Sequence, residues 1–490
     1  MRKQVIVIGG GIAGLSAAIY AGRSGFDVTL CEQHSIVGGM CTSWRRKGYL
    51  FEGAIHWLTG SSPKTQVYQM WKETGALDDT VKIYLHDIFR SIEWEGKILN
   101  LYRSIDTTAE HLLVLSPADE KEIRRLVKRV KTFTRLEMPV MDIQGVKARN
   151  PKPMPLGYIL KALPAIIILA RLGKLSCTDY CNRFQHPGIR KLLACIPGDF
   201  SASSILFTLA TLNMGDGGYP EGGSLAMTAR MAETFKNLGG KLLLNTEVKK
   251  VVIENGAVTG VQLENEILPA NAVIVTQETI AALDRLFDTP LHDAWLRELR
   301  ETTKLIACTY ISMGVRAELP ETIPEWQLDE PIRYADTKIT EIGFGTYARY
   351  AGYAPGGCAA LTTALMGDTW HFWKKAKEEG RYDEEKRALA EQISRAFCRK
   401  YPQAEGNIEV MDIATPLTYE RYAGAYHGSW MTLMEPGHKM AQAYPGFAQD
   451  VHGLYFAGHR IIPPGGHPAA LASGRRAAQM VCRQFDAVFV

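Results

Sequence analysis

Several features that would classify this 490-residue sequence quickly are missing from it. It has no C-x-x-C pair, and its nine cysteines are odd in number and scattered, which argues against a disulfide scaffold and fits a reducing compartment. The loose set Cys177, Cys181, His186 and Cys195 is spaced C-x3-C-x4-H-x8-C, which is not a zinc-ligand spacing, so no metal is expected. Charge of one sign is lacking as well. The 56 Lys and Arg nearly balance 52 Asp and Glu, and the net +4 is too small to argue for a nucleic-acid partner. The first strand-like run begins near residue 4, which leaves no room for a secretory leader, and a cytoplasmic protein is the expectation. What remains is ordinary for a globular enzyme with a large core: 46% hydrophobic and 22% charged residues.

The informative stretch is the first 32 residues. Residues 5–8 (V-I-V-I) form a short apolar run fit for one buried parallel strand. Gly9, Gly11 and Gly14 follow as G-x-G-x-x-G, then a small-residue helix over 15–24, Gly25 as its stop, a second strand over 27–31 and Glu32 at its end. The first glycine permits the tight turn, the second lets a pyrophosphate approach the backbone, and the third lets helix and strand pack closely. The terminal carboxylate can accept hydrogen bonds from ribose hydroxyls. Strand, turn, helix, strand and acid in register predict a dinucleotide site in an α/β fold.

Four further blocks narrow the dinucleotide. Val37-Gly38-Gly39-Met40-Cys41 places a glycine doublet beyond the ribose acid, and Phe51-Glu52-Gly53-Ala54-Ile55-His56-Trp57 reads as a strand closing on a ligand. Gly218-Tyr219-Pro220-Glu221-Gly222-Gly223-Ser224 leads into a helix over 225–238 capped by Ser224, then strands over 241–246 and 247–254, an Asn255-Gly256 hairpin, and strands over 258–264 and 272–276. Near the C-terminus, a strand ending at Gly458 precedes His459 and, after Pro463-Pro464-Gly465-Gly466, a helix from His467 to about residue 485. Its N-terminus carries about half a positive charge and unpaired N–H groups, which favour an anionic group.

In this order the blocks resemble the phytoene desaturase, carotenoid isomerase and retinol saturase group, relatives of the flavin amine oxidases. The resemblance implies FAD as cofactor. It implies a Rossmann-like FAD-binding domain (1–57, 219–285 and 450–490) in an α/β, overall α+β, fold. The interleaved substrate-binding domain, of mixed sheet and helices, takes 58–218 and 286–449. The resemblance carries cofactor contacts onto Gly9, Gly11, Ala13, Gly14, Glu32, Gly38, Gly39, Met40, Val248, Gly458, His459, His467, Pro468, Ala469 and Ala470. Two positions depart from the group's pattern. Met40 stands where many relatives have arginine, with Arg45 or Arg46 as substitutes, and His459 stands where an acid is usual.

No second strand–G-x-G-x-x-G–helix unit with a downstream acid occurs, Gly343-Phe344-Gly345 being the nearest, so no built-in NAD(P) domain is expected. Electrons would then pass between substrate and oxygen, a quinone or a diffusing reductant. Residues 121–135 hold seven basic residues with Ile123, Leu126, Val127, Val130 and Phe133 at helical spacing. Beyond Pro151, Pro153 and Pro155 comes an apolar run over 156–172, interrupted by Lys161, Pro164 and Arg171. As a helix it is about 25 Å long. It reads either as a core helix kinked at Pro164 or, with the basic helix, as a region (121–172) lying in the lipid interface. An apolar small-molecule substrate and peripheral contact at the inner membrane face follow from the second reading.

Residues 369–401 read as polar scaffold broken at Gly380, and Tyr347, Arg349, Tyr350 and Tyr353 read as core rather than tunnel. By the same resemblance, a segment over 414–430 is expected to run past the cofactor toward the substrate. Among proton-moving candidates His56 comes first, then His427 and His467, with Tyr422 placed to orient substrate. The expected activity is desaturation, saturation or cis–trans isomerisation of carbon–carbon double bonds in a long polyene or isoprenoid such as a carotenoid or retinoid. The alternatives are oxidation of a smaller amine and, outside enzymes, a prenyl-binding chaperone of the Rab GDP-dissociation-inhibitor kind.

Overall fold

A computed structural model describes residues 2–136, 139–153, 156–437 and 443–490. Pro155 of the expected linker, residues 137–138 and 154–155 of the 121–172 region, and residues 438–442 of the expected substrate-binding domain lie outside these. A five-stranded parallel sheet organises the first part of the molecule, in the order Lys241–Leu243, Asp27–Cys31, Gln4–Ile8, Ala272–Val275, Leu454–Phe456. Val5 through Ile8 and Ala272 through Val275 are all buried, as strands covered on both faces must be.

The two chain ends meet on this sheet. Helix Ile12–Arg23 crosses helix His467–Gln484 so closely that a Cβ on Gly474 would stand 2.3 Å from the Ala13 carbonyl oxygen. Ser16 Oγ donates to the Leu471 carbonyl at 2.7 Å across the same crossing. Residues 139–149, within the span read as substrate-binding, also join this layer. Asp142 pairs with Arg475 at 2.6 Å, and strand Lys147–Ala148 pairs with Val488–Phe489.

Two local expectations shift, and the break expected at Gly380 is found. Helix Gly223–Asn237 starts one residue after a left-handed Gly222, and Ser224 does not cap it, because its hydroxyl donates to Glu52 instead. The strand pair expected over 241–254 splits into Lys241–Leu243 and Lys250–Glu254, since Asn245 adopts φ 52° and breaks the run. The polar segment forms helices Trp370–Glu378 and Tyr382–Lys400 on either side of Gly380 (φ 74°).

The second part is built on an antiparallel sheet ordered Gly345–Thr346, Ala359–Met366, Cys308–Val315, Ile408–Ala414. All eight residues of Cys308–Val315 are buried. A separate helical cluster packs helix Glu120–Phe133 through Ile123, Leu126, Val130 and Phe133 against Leu156–Leu172 and Ser203–Asn213. Among the described residues no helix is long and apolar enough to cross a membrane.

Candidate active site

The carboxyl ends of the parallel strands carry the phosphate turn. Gly9 sits at φ 103° and its N–H donates to the Cys31 carbonyl at 2.8 Å. A Cβ on Gly14 would lie 1.8 Å from the Gly9 carbonyl oxygen, so the helix can approach the turn this closely only without a side chain. At Gly11 the situation is opposite: the nearest atom to an added Cβ is the Gly38 carbonyl oxygen at 3.7 Å, so the protein itself leaves room there. Gly11 also caps helix Ile12–Arg23 with no side-chain acceptor for its first N–H groups. Open space, free N–H groups and the positive end of a helix dipole together suit a diphosphate.

The doublet completes this cradle. Gly38 N–H donates to the Gly10 carbonyl at 2.9 Å and pairs in register with Gly11, and Gly38 and Gly39 both need positive φ (127° and 59°). Glu32 closes the far end, its carboxylate held by the N–H groups of Gly10 (2.7 Å) and His34 (2.9 Å). Val248 is buried in the connection next to it. Met40 has no arginine substitute at this point. Arg46 pairs with Asp412 at 3.2 Å and Arg45 reaches the Gly352 carbonyl at 3.4 Å, because the hairpin Ser43–Arg46 and Tyr49–Glu52 turns both away.

At the other end three imidazoles converge. His467 begins the last helix, behind Gly466 and with no side-chain cap; Pro468 occupies the first turn, where its missing N–H costs nothing, and Ala469 and Ala470 keep that turn slim. Burial pushes the His467 imidazole down to about 4, and the His56 ring adds to the shift. Burial likewise lowers His56, opposed in part by Glu52, and holds His459 well below its usual range, helped by Arg460 and His467. All three are therefore neutral near pH 7. The ring of His56 is nevertheless reachable by solvent.

Residues that sequence reasoning missed form the wall above His56. Tyr310 and Trp430 lie with their ring centroids 6.3 Å from His56 and 6.2 Å from each other. Trp57, partly exposed, packs edge-on against Phe89 at 5.2 Å. Trp430 closes the 414–430 block that the sequence marks; nothing local marks Tyr310, which sits in a fully buried strand. Glu52 is fully buried beneath this wall and accepts from the N–H groups of Ala54, Ile55 and Ser224 and the Tyr219 hydroxyl. Tyr347 and Tyr353 are core residues packed round Tyr219.

Two expected catalytic residues stand elsewhere. Helix Pro416–Ala423 puts the Tyr422 ring 5.3 Å from His34, at the Glu32 end, beside an open polar groove of about 840 Å³ that His34, Thr246 and Arg421 help to line. His427 stacks between Trp370 (4.0 Å) and Tyr426 (4.1 Å) and shares no ring neighbour with His56. Neither is brought to the wall formed by His56, Tyr310 and Trp430.

The residues present fit a flavin dinucleotide. Beyond the glycine cradle, His459 Nε2 is buried without a hydrogen-bond partner among the described residues, directly after Gly458 (φ 142°) at the end of its strand. A buried nitrogen left in this state is costly unless a bound group completes it.

Comparison with known proteins agrees with this geometry. The phytoene desaturase (lycopene-forming) of a Paracoccus species is 24% identical over 98% of this chain and 97% of its own length. The 4,4'-diaponeurosporene oxygenase of Staphylococcus aureus is 25% identical over 66% of this chain and 65% of its own length. Cyclohexylamine oxidase from Brevibacterium oxydans superposes with a TM-score of 0.56 at 16% identity, covering 99% of this chain and 100% of that one, which shows a shared fold. The family model described as flavin containing amine oxidoreductase matches residues 12–482. The chain belongs to that family and is an FAD-dependent oxidoreductase.

Proposed function

We propose that the enzyme adds, removes or isomerises carbon–carbon double bonds in a long apolar polyene. The observation that carries this reading is the wall over His56. Its ring neighbours Tyr310 and Trp430 are aromatic, and the nearby carboxylates are occupied, Glu52 by backbone and hydroxyl donors and Asp412 by Trp44 and Arg46. Such a surface suits a flat, conjugated hydrocarbon and offers an ammonium ion no free negative charge. The carotenoid-acting relatives support the same class.

When bound, FAD supplies the hydride donor or acceptor. The chain's own residues do the rest. Gly9, Gly11, Glu32, Gly38 and Gly39 would bind its diphosphate and ribose, and His459, His467 and the last helix N-terminus would bind the opposite end. Trp57, Tyr310 and Trp430 hold the polyene in line and exclude water. His56, kept neutral by burial, takes or returns a proton at an imidazole nitrogen as a bond is made or lost. Electrons leave or arrive by oxygen, a quinone or a diffusing reductant.

Anaerobic mixing of the oxidised and photoreduced holoprotein with a panel of polyenes and of amines tests this. Polyenes are expected to perturb or bleach the bound flavin's visible bands. A response to amines alone would replace the reading with amine oxidation.

A further inference from the structure

Helix Leu156–Leu172 is the place where the fold departs most from a water-facing surface. Ile159, Leu160, Leu163, Ile166 and Ile167 are 41 to 74% exposed, all on one face, while Ala162, Ala165 and Leu172 are buried on the opposite one. Its Ile168, Leu169 and Leu172 pack on the helical cluster, yet five large aliphatic side chains are left facing outward. Contiguous apolar exposure of this kind marks a surface meant to be covered.

The charge around it says by what. Residues 143–178 contain no Asp or Glu but include Lys147, Arg149, Lys152, Lys161, Arg171 and Lys174. Lys161, Arg171 and Lys174 are exposed and make no ion pair among the described residues. The helix is 17 residues long, and no described helix is suited to cross a bilayer. Pro164 also leaves the Leu160 carbonyl without its helical N–H partner, a group that stays hydrated at an interface but not in hydrocarbon. An apolar stripe edged by unpaired cations matches the boundary between acyl chains and anionic headgroups.

We infer that this helix docks the enzyme on the surface of an anionic lipid bilayer, lying in the interface with Leu160 and its apolar neighbours inserted. The docking helix is tied to the wall over His56. Gly437 N–H donates to the Gly173 carbonyl at the end of the helix (2.7 Å), and Ser201 N–H donates to the Met434 carbonyl (2.7 Å). The segment that begins at the wall residue Trp430 thus runs to the base of the docking helix.

The test is co-sedimentation of the full-length holoprotein with phosphatidylcholine vesicles containing or lacking phosphatidylglycerol, at low and high salt; no substrate is needed, so the outcome is separate from that of the polyene experiment. Wild type is expected to pellet with the anionic vesicles at low salt and less at high salt. Leu160→Glu with Leu163→Glu and Ile167→Glu should lower partition at least tenfold while flavin absorbance is kept. Leu160→Glu alone, at the most exposed position, leaves folding unchallenged and should lower it severalfold. Wild type remaining in the supernatant at low salt, or variants pelleting as wild type does, overturns the inference. So does a variant that converts a dimer to a monomer with vesicle binding unchanged, which would make the face an interface between copies.

Discussion

The two ends of the flavin slot are built on different principles. The diphosphate and ribose end is made of backbone from one continuous stretch, Gln4 to Glu32, joined by the Gly38-Gly39 loop. The end we propose as reactive is made of side chains from distant segments: His56, Tyr310, Trp430, His459 and His467. Backbone N–H groups and missing Cβ atoms bind a group common to many reactions, whereas side chains drawn from several elements can be exchanged without loss of the cofactor. One end therefore fixes what is bound and the other what is done with it.

Substitutions should separate the two ends. The largest effect is expected at Gly14→Ala, whose Cβ would lie 1.8 Å from the Gly9 carbonyl oxygen and 2.8 Å from Thr276 Oγ1; loss of folded protein, or a collapsed melting temperature, should follow. His56→Ala should slow flavin reduction or reoxidation by substrate about a hundredfold, the usual range for a general acid or base, with flavin content unchanged in absorbance. Glu32→Ala should weaken FAD binding about tenfold, in keeping with the loss of a charged hydrogen-bonding group, while the rate in saturating FAD is kept.

The smallest effect is on pH. His467 lies at about 4 against an ordinary value of 6.5, so between these the unfolded chain binds more protons than the folded one. Stability is then present above 6.5 and is lost as pH falls toward 4, and the shifts at His56 and His459 have the same sign. Thermal melting across this range should show a decline of a few degrees that His467→Asn reduces in part.

The same division decides what the sequence reveals. Gly9, Gly11, Gly14 and Glu32 can be read because their spacing is the geometry: a strand, a turn and a helix leave few other arrangements. Asn255-Gly256 is legible for the same local reason, with φ 50° and 73° in the turn. Tyr310 is not, because its strand pairs with residues 359–366 and 408–414 through contacts that no local pattern encodes. Tyr422 and Ser224 show the converse. The position of each along the chain suggests one role, and a tertiary partner, His34 or Glu52, draws it into another. The exposed face of Leu156–Leu172 was undecidable from hydropathy alone, since a buried and an interfacial helix can share one composition.

We propose that an FAD diphosphate lies against Gly11, and the ratio of flavin to protein absorbance in purified Gly11→Val tests this directly. The space at Gly11 is free of protein atoms to 3.7 Å, so the variant should fold, as its circular dichroism would show, and be colourless. A folded Gly11→Val protein as yellow as wild type would contradict the account.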